Sequence, residues 1–338
     1  MSMDVNVSRR SAVGALAALG IAPFARVASA ADKVTISVPS TNVDDAAIFV
    51  ALQKGYFADA GLDAGIIVAG GGIATPGLLS GSLQASASPA SALSAILRGA
   101  DLRILLVFGT SPPYQLWGND SIRSLADLPG KSVGIQSRGD TFELSTRIAL
   151  QNAGISADSV GFTPLGVGAT VGAALTSGAV PAICTASVEI NELLARGYLK
   201  NAHLVLNYYG KVRMPFNGLA TSQKLITDSP QVVHGIVMGI VKAVRYARAF
   251  KAQTVAFTGK YQKDPNATAL GQDYDVLMQY LTPSLTAPAD ALVPDLAVRA
   301  QLLNIPKAQI PSIDKVYNFA IAQAVNAELD RTRWRPTA

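Results

Sequence analysis

Seven residues carry most of the binding chemistry this chain offers: Thr41, Asn42, Gly72, Ser88, Arg138, Thr141 and Thr170. Each falls in a loop rich in Ser, Thr, Gly or Asn, at residues 40–42, 70–74, 88–91, 137–141 and 166–170; a sixth such loop spans 185–187. Hydroxyls, carboxamides and free backbone N–H groups at the start of a helix hydrogen-bond a small polar or anionic molecule. Arg138 adds the one obvious cation, and an anionic guest would depend on it for charge neutralisation. The same residue types also serve as caps and turn formers, and Asp140-Thr141-Phe142-Glu143 has the spacing of a capping box. Asp44, Asp45 and Asp140 oppose an anion at the same loops. Tyr114, Trp117 and Phe216 offer rings on which an aromatic guest would stack.

Other chemistry is scarce. No Gly-x-Ser-x-Gly, His-Glu-x-x-His, Cys-x-x-Cys or Gly-x4-Gly-Lys-Ser/Thr motif is present. Gly166-Val167-Gly168 follows a strand-like segment, but Val171 stands where a dinucleotide fingerprint needs its third glycine. Cys184 is the sole cysteine, set in the apolar run 180–184 and expected in the core. A single cysteine excludes every multi-Cys zinc or iron–sulfur site, and two histidines, His203 and His234, leave little for imidazole chemistry. No metal, no cofactor and no catalytic residue is expected.

The elements that position these loops alternate between the two periodicities. Short β-branched strands at 34–38 and 66–68 enclose a helix at 46–54 stopped by Gly55, and the glycine loop 70–72 leads into a helix ending at Ser80-Gly81. This is the pattern of βαβ units and a largely parallel sheet. It recurs about 97 residues later: Leu78-Leu79-Ser80-Gly81 is echoed by Leu175-Thr176-Ser177-Gly178, Ala51-Leu52-Gln53 by Ala149-Leu150-Gln151, and Gly71 by Gly168. A period longer than any solenoid repeat indicates two similar lobes. Ser111-Pro112-Pro113-Tyr114 and Arg213-Met214-Pro215-Phe216-Asn217 are stiff stretches suited to crossing between them. The expected division is residues 31–112 and 214–338 in lobe 1 and 113–213 in lobe 2. Pro230 opens a helix with Val233, Ile236, Val237, Ile240, Val241 and Val244 on one face, and the stretch 290–335 reads as helical and exposed.

The whole chain has 338 residues, 49% of them hydrophobic and 15% charged, a balance that excludes a disordered or coiled-coil protein. The formal charge of +5 is thinly spread, with no Lys/Arg cluster to track a phosphate backbone, so nucleic acid is not an expected partner. Mean hydropathy is +0.30, yet the apolar run 12–25 falls short of the roughly 20 residues that span a bilayer. Residues 1–30 read as an export signal: Ser8-Arg9-Arg10 precedes the apolar run and Ala28-Ser29-Ala30 offers a cleavage site, as on the twin-arginine route, with an ordinary secretory signal that carries two arginines as the alternative. The expected location is the periplasm, soluble and without a lipid anchor, and a monomer is expected.

Several segments carry a family resemblance. Lys54-Gly55-Tyr56-Phe57-Ala58-Asp59-Ala60-Gly61-Leu62-Asp63 is the most specific, followed by residues 78–81, Ser88-Pro89-Ala90, Asp127-Leu128-Pro129-Gly130-Lys131-Ser132-Val133-Gly134 and Asp228-Ser229-Pro230-Gln231-Val232-Val233. In these, over about residues 33–250, the chain resembles the periplasmic solute-binding proteins of ABC transporters, in the group for taurine, alkanesulfonates, nitrate and the thiamine pyrimidine precursor. The resemblance implies a type II periplasmic-binding-protein fold of two α/β lobes with mainly parallel sheets, joined by two crossing strands. It also implies a small-molecule ligand between the lobes, a membrane permease and a cytoplasmic ATPase. A small organic anion of the sulfonate, taurine or nitrate type is the leading expectation. Where sulfonate-type members mostly have small hydroxyl residues, this chain has Gly139-Asp140-Thr141, which leaves a neutral or aromatic guest such as a thiamine pyrimidine precursor as the alternative. A pyrimidine synthase shares the fold, but its cysteine-rich iron-binding segment has no counterpart here.

Overall fold

The computed structural model describes residues 31–338 except Val167 and Asp264, and leaves the side chain of Asn191 undescribed. The expected export signal lies outside the described residues. Ten strands form two five-stranded sheets. They are β1 (Asp32–Val38), β2 (Leu62–Val68), β3 (Ala85–Ser86), β4 (Leu102–Gly109), β5 (Tyr114–Gly118), β6 (Ser132–Ile135), β7 (Gly161–Pro164), β8 (Ala182–Ala186), β9 (His203–Asn207) and β10 (Phe216–Ser222).

The first sheet has the order β2-β1-β3-β10-β4 and the second β7-β6-β8-β5-β9. In the first, β1 runs parallel to β2 and β3, while β10 runs antiparallel to β3 and β4. In the second, β6 runs parallel to β7 and β8, while β5 runs antiparallel to β8 and β9. The two patterns are the same, with each antiparallel strand lying next to a crossing. The chain leaves the first sheet after Gly109 and enters the second at Tyr114; it leaves at Asn207 and returns at Phe216. Neither crossing is itself a strand. Ser111 Oγ ties them together, donating to Val212 O at 2.8 Å and accepting from Gly210 N at 2.8 Å.

The internal echo in the sequence marks equivalent places. Leu78 and Leu175 are both buried at the ends of helices leading to β3 and β8, and Gly81 and Gly178 both close those ends with φ near +80° and +76°. One local expectation changes: the helix after β2 spans Gly71–Ser80, so two of the three glycines form its first turn instead of the loop. Gly70, the residue before it, takes the extended cap conformation that permits this.

The motif around residues 54–63 locks the first lobe. Gly55 (φ +70°) ends the helix Ala46–Gln53, a turn that drops Phe57 into the core at 2% exposure. Phe57 packs onto the long helix Pro230–Ala249, where a Cβ on Gly239 would lie 2.5 Å from its ring. Burying such a ring stabilises by about 1.5–3 kcal/mol, and only glycine at 239 leaves it room. The same helix packs against Ala46–Gln53 and Ala320–Arg331. Cys184 is buried in the core, and burial pushes its thiol up to about 12.

The stretch 290–335 is less exposed than its composition suggests. It holds the helices Ala289–Leu302, Ile313–Val316 and Ala320–Arg331, and the first buries Leu292, Asp295, Leu296, Val298 and Arg299. The polar pair Asp295–Arg299 is one helical turn apart and buried together, so its charges give no amphipathic signal of burial. Among the described residues no helix is long and apolar enough to cross a membrane.

Candidate ligand cleft

A cleft of about 580 Å³ lies where the carboxyl ends of the central strands of both sheets meet the two crossings. The loop after β1 supplies Pro39, Ser40, Asn42 and Asp44, and that after β3 supplies Ala87 and Ser88. Gln136, Thr141 and Phe142 follow β6, while Ala186, Val188 and Glu189 end or follow β8. Pro113, Tyr114, Pro215, Phe216 and Asn217 come from the crossings. Strand carboxyl ends are where an α/β sheet leaves loops and helix starts free to face a ligand.

Two carboxylates face this space. Asn42 caps the short 3-10 turn Val43–Asp45, its Oδ1 accepting from Asp44 N at 3.0 Å. That turn presents Asp44, whose Oδ1 accepts from the Tyr280 hydroxyl at 2.5 Å. Burial raises the Asp44 pKa above its ordinary value, and hydrogen bonds from Tyr280 and Asn217 pull the other way. Asn217 holds a left-handed backbone (φ +50°), which is uncommon outside glycine and costs free energy that the surrounding fold must offset. On the opposite lobe, Glu189 accepts from Thr185 Oγ1 at 2.5 Å.

Aromatic rings form the wall between them. Tyr114 stacks on Phe142 at 4.2 Å between centroids, and Phe216 meets Tyr114 edge-on at 5.4 Å. Tyr280 continues the series, edge-on to Phe216 at 5.0 Å. The Tyr114 hydroxyl lies 2.6 Å from Thr141 Oγ1. Trp117, three residues along β5, faces the other side of the sheet by strand alternation and donates Nε1–H to Gln115.

The cation in the wall is Arg299, from the buried helix Ala289–Leu302, together with Tyr317. Arg299 is 2% exposed; its Nε donates to Asp295 Oδ2 at 2.8 Å and its Nη1 to Ala90 O at 3.3 Å.

Of the seven residues expected as contacts, Asn42, Ser88 and Thr141 line the cleft. Thr41 adjoins it, with its carbonyl accepting from Gln262 Nε2. Gly72 follows the lining residue Gly71 and borders a separate surface hollow. Arg138 has a side chain 62% exposed, with Nη1 at 3.9 Å from Glu143 Oε1, and Thr170 is exposed in the first turn of Ala169–Thr176; neither lines the cleft. Asp140 is occupied as a cap: it accepts from Glu143 N at 2.9 Å and Ser137 N at 2.6 Å. The glutamate of the box returns to Gly139 N at 2.9 Å. Glu189, Asn217, Arg299 and Tyr317 also line the cleft, and their types and spacing in the sequence do not single them out. Glu189 follows a loop that the sequence marks, whereas Arg299 and Tyr317 reach the cleft only through tertiary packing. Among the described residues no group of three or more His, Cys, Asp or Glu side chains forms a metal site.

Solved structures share this architecture at low sequence identity. The periplasmic aliphatic sulphonate binding protein SsuA of Escherichia coli superposes with a TM-score of 0.65 at 17% identity, over 84% of this chain and 91% of that one. The putative sulfonate-binding protein of an ABC transporter from Methylobacillus flagellatus KT gives 0.69 at 16% identity, over 91% and 98%. The periplasmic nitrate-binding protein NrtA of Synechocystis PCC 6803 gives 0.62 at 12% identity, over 90% and 91%. At this identity the likeness establishes the periplasmic-binding-protein fold. No curated protein matches the chain in sequence. The family model described as NMT1/THI5 like matches residues 42–252, more than half of the chain, a span that holds Asp44, Tyr114, Phe142, Phe216 and Glu189. The chain is therefore a member of the NMT1/THI5-like family.

Proposed function

We propose that this protein is the substrate-binding component of an ABC importer, exported to the periplasm, and that its cleft captures a small aromatic ring bearing an amino or protonated nitrogen. Lobe 1 would be residues 31–112 and 214–338 and lobe 2 residues 113–213. The observation that carries the ligand class is the aromatic wall of Tyr114, Phe142 and Phe216 set between two carboxylates, Asp44 and Glu189. An aromatic guest stacks on the rings while its nitrogen donates to a carboxylate. Arg299, the one cation in the wall among the described residues, is already matched by Asp295.

Closure around the guest is a population shift between open and closed lobes that a permease reads. Gln301 Nε2 on Asp158 Oδ2, at 3.1 Å, supports a closed arrangement across the lobes. The second reading, a small organic anion, is favoured by the sulfonate- and nitrate-binding solved structures and by Arg299 in the wall. Calorimetry on ligand-stripped protein with aminopyridines, aminopyrimidines, taurine, alkanesulfonates and nitrate separates the two. Binding of the amino-aromatic compounds, weakened at least about tenfold by Asp44→Asn, is expected. Tight binding of a sulfonate or nitrate, with no binding of the aromatic amines, would establish the second reading.

A further inference from the structure

Three buried polar atoms next to the cleft lack any hydrogen-bond partner among the described residues: Ser88 Oγ, Tyr317 OH and Asp295 Oδ1. Ser88, Tyr317 and Arg299 all line the cleft, and Asp295 is the ion-pair partner of Arg299. Ser88 stands at the N-cap of Pro89–Leu97, yet its side chain makes no capping bond. Tyr317 is 4% exposed and its hydroxyl has no partner. Leaving a buried hydroxyl or carboxylate oxygen unpaired costs about 1–3 kcal/mol each, and three such atoms at one place in a native fold indicate a missing partner.

Their neighbours say where this place is. Leu93, Ile104 and Val107 also line the cleft, and with Tyr317 they belong to the second apolar core of lobe 1. The cleft therefore extends into the apolar interior of lobe 1. We infer that this extension is a subsite for an uncharged group that both donates and accepts hydrogen bonds, a carboxamide or a hydroxyl on the ligand. The inference rests on the aromatic-amine reading of the main cleft and specifies the other end of that ligand.

The choice of an uncharged group follows from the charges. Asp295 and Arg299 neutralise each other at 2.8 Å with both side chains buried. A carboxylate or sulfonate would share that guanidinium with Asp295 at short range and at low dielectric, where like charges repel strongly. It would also bring no donor for Asp295 Oδ1. A carboxamide supplies a carbonyl to accept from Arg299, Tyr317 or Ser88 and an N–H to donate to an orphaned acceptor.

Calorimetry on the full chain tests this with a 2-aminopyridine ring carrying a methyl, carboxamide or carboxylate group at one fixed position. The carboxamide is expected to bind about tenfold more tightly than the methyl compound, in line with one or two hydrogen bonds to buried groups, and the carboxylate no better than the methyl. Tyr317→Phe should reduce that preference about threefold or more, and Tyr317→Phe with Ser88→Ala should abolish it. The ligand-free variants should melt at or above the parent temperature, because each removes a hydroxyl that has no partner; a fall in melting temperature would assign these groups a structural role and overturn the subsite. Equal binding of the methyl and carboxamide compounds, or a preference that survives both substitutions, would overturn it and leave the aromatic reading standing. A preference for the carboxylate would overturn it in favour of an anion subsite. Failure of all three compounds to bind would remove the aromatic-amine reading and the subsite with it.

Discussion

Tyr280 donates its hydroxyl hydrogen to Asp44 Oδ1 at 2.5 Å, tying the last residue of helix Ala267–Tyr280 to the turn after β1, more than two hundred positions away in sequence. The bond fixes where the Asp44 carboxylate points. The same helix carries Asp273, whose ionisation the charge of Asp44 makes harder.

That interaction has a pH signature. Burial first, and the charge of Asp44 second, push the Asp273 pKa from 3.8 to about 6. The folded protein thus holds this proton more tightly than the unfolded chain. Its contribution to stability is fully present below about pH 4 and is lost as the pH rises through about 6. Asp273→Asn should therefore raise the melting temperature at pH 7 and leave it unchanged near pH 4. Melting curves across that range check this, and an equal shift at both ends would disprove it.

Binding should depend on pH in the opposite sense. Burial raises the pKa of Asp44, so it takes up its proton at a higher pH than an ordinary aspartate. Affinity for an aromatic amine is expected to fall as the pH drops through that point, since the neutral acid no longer attracts a cationic nitrogen. Titration calorimetry with an aminopyridine from pH 7.5 downward reads the effect, and Asp44→Asn should flatten it.

Arg138→Ala separates two accounts of the cleft. The guanidinium is largely exposed and does not line the cleft, so its removal should leave aromatic-amine affinity within about twofold, as for other exposed charges. Loss of binding on this substitution would return the site to an anion that Arg138 neutralises.

Gly218 follows the left-handed Asn217 and adopts φ +150°, and a Cβ there would lie 2.1 Å from Leu106 O on the neighbouring strand. Gly218→Ala must push β10 from β4, at a cost of about 3 kcal/mol. The melting temperature should drop by about 6–12 °C. A variant as stable as the parent would show that this strand pair has slack, and that Asn217 is not held by it.

Glu143 is buried and accepts from Arg147 Nε at 2.9 Å and from Gly139 N at 2.9 Å. Glu143→Ala leaves Arg147 with Asp158 and the Phe162 ring alone. Loss of one partner of a buried pair costs about 3–5 kcal/mol. Amide hydrogen exchange should rise at residues 136–140, the loop Glu143 anchors, more than in β1, while Glu143→Gln should retain part of the protection.

Elements whose causes are local can be read directly from the chain. Gly55, Gly81 and Gly178 end helices because each reaches positive φ without strain. The echo between residues 78–81 and 175–178 marked the two α/β units, and the loops of Ser, Thr, Gly and Asn marked the carboxyl ends of the strands. From those loops Asn42, Ser88 and Thr141 were legible as cleft residues. Tertiary structure alone decided the rest. Arg138 and Thr170 share the composition of the cleft loops, but their backbones direct them to solvent. Arg299 and Tyr317 sit in a stretch with no local mark of a site and are carried into the wall by the packing of lobe 1. The charge balance of the cleft follows from the same packing: a carboxylate's neighbours in space, Tyr280 for Asp44 and Thr185 for Glu189, set its role, and only the fold brings Tyr280 to Asp44.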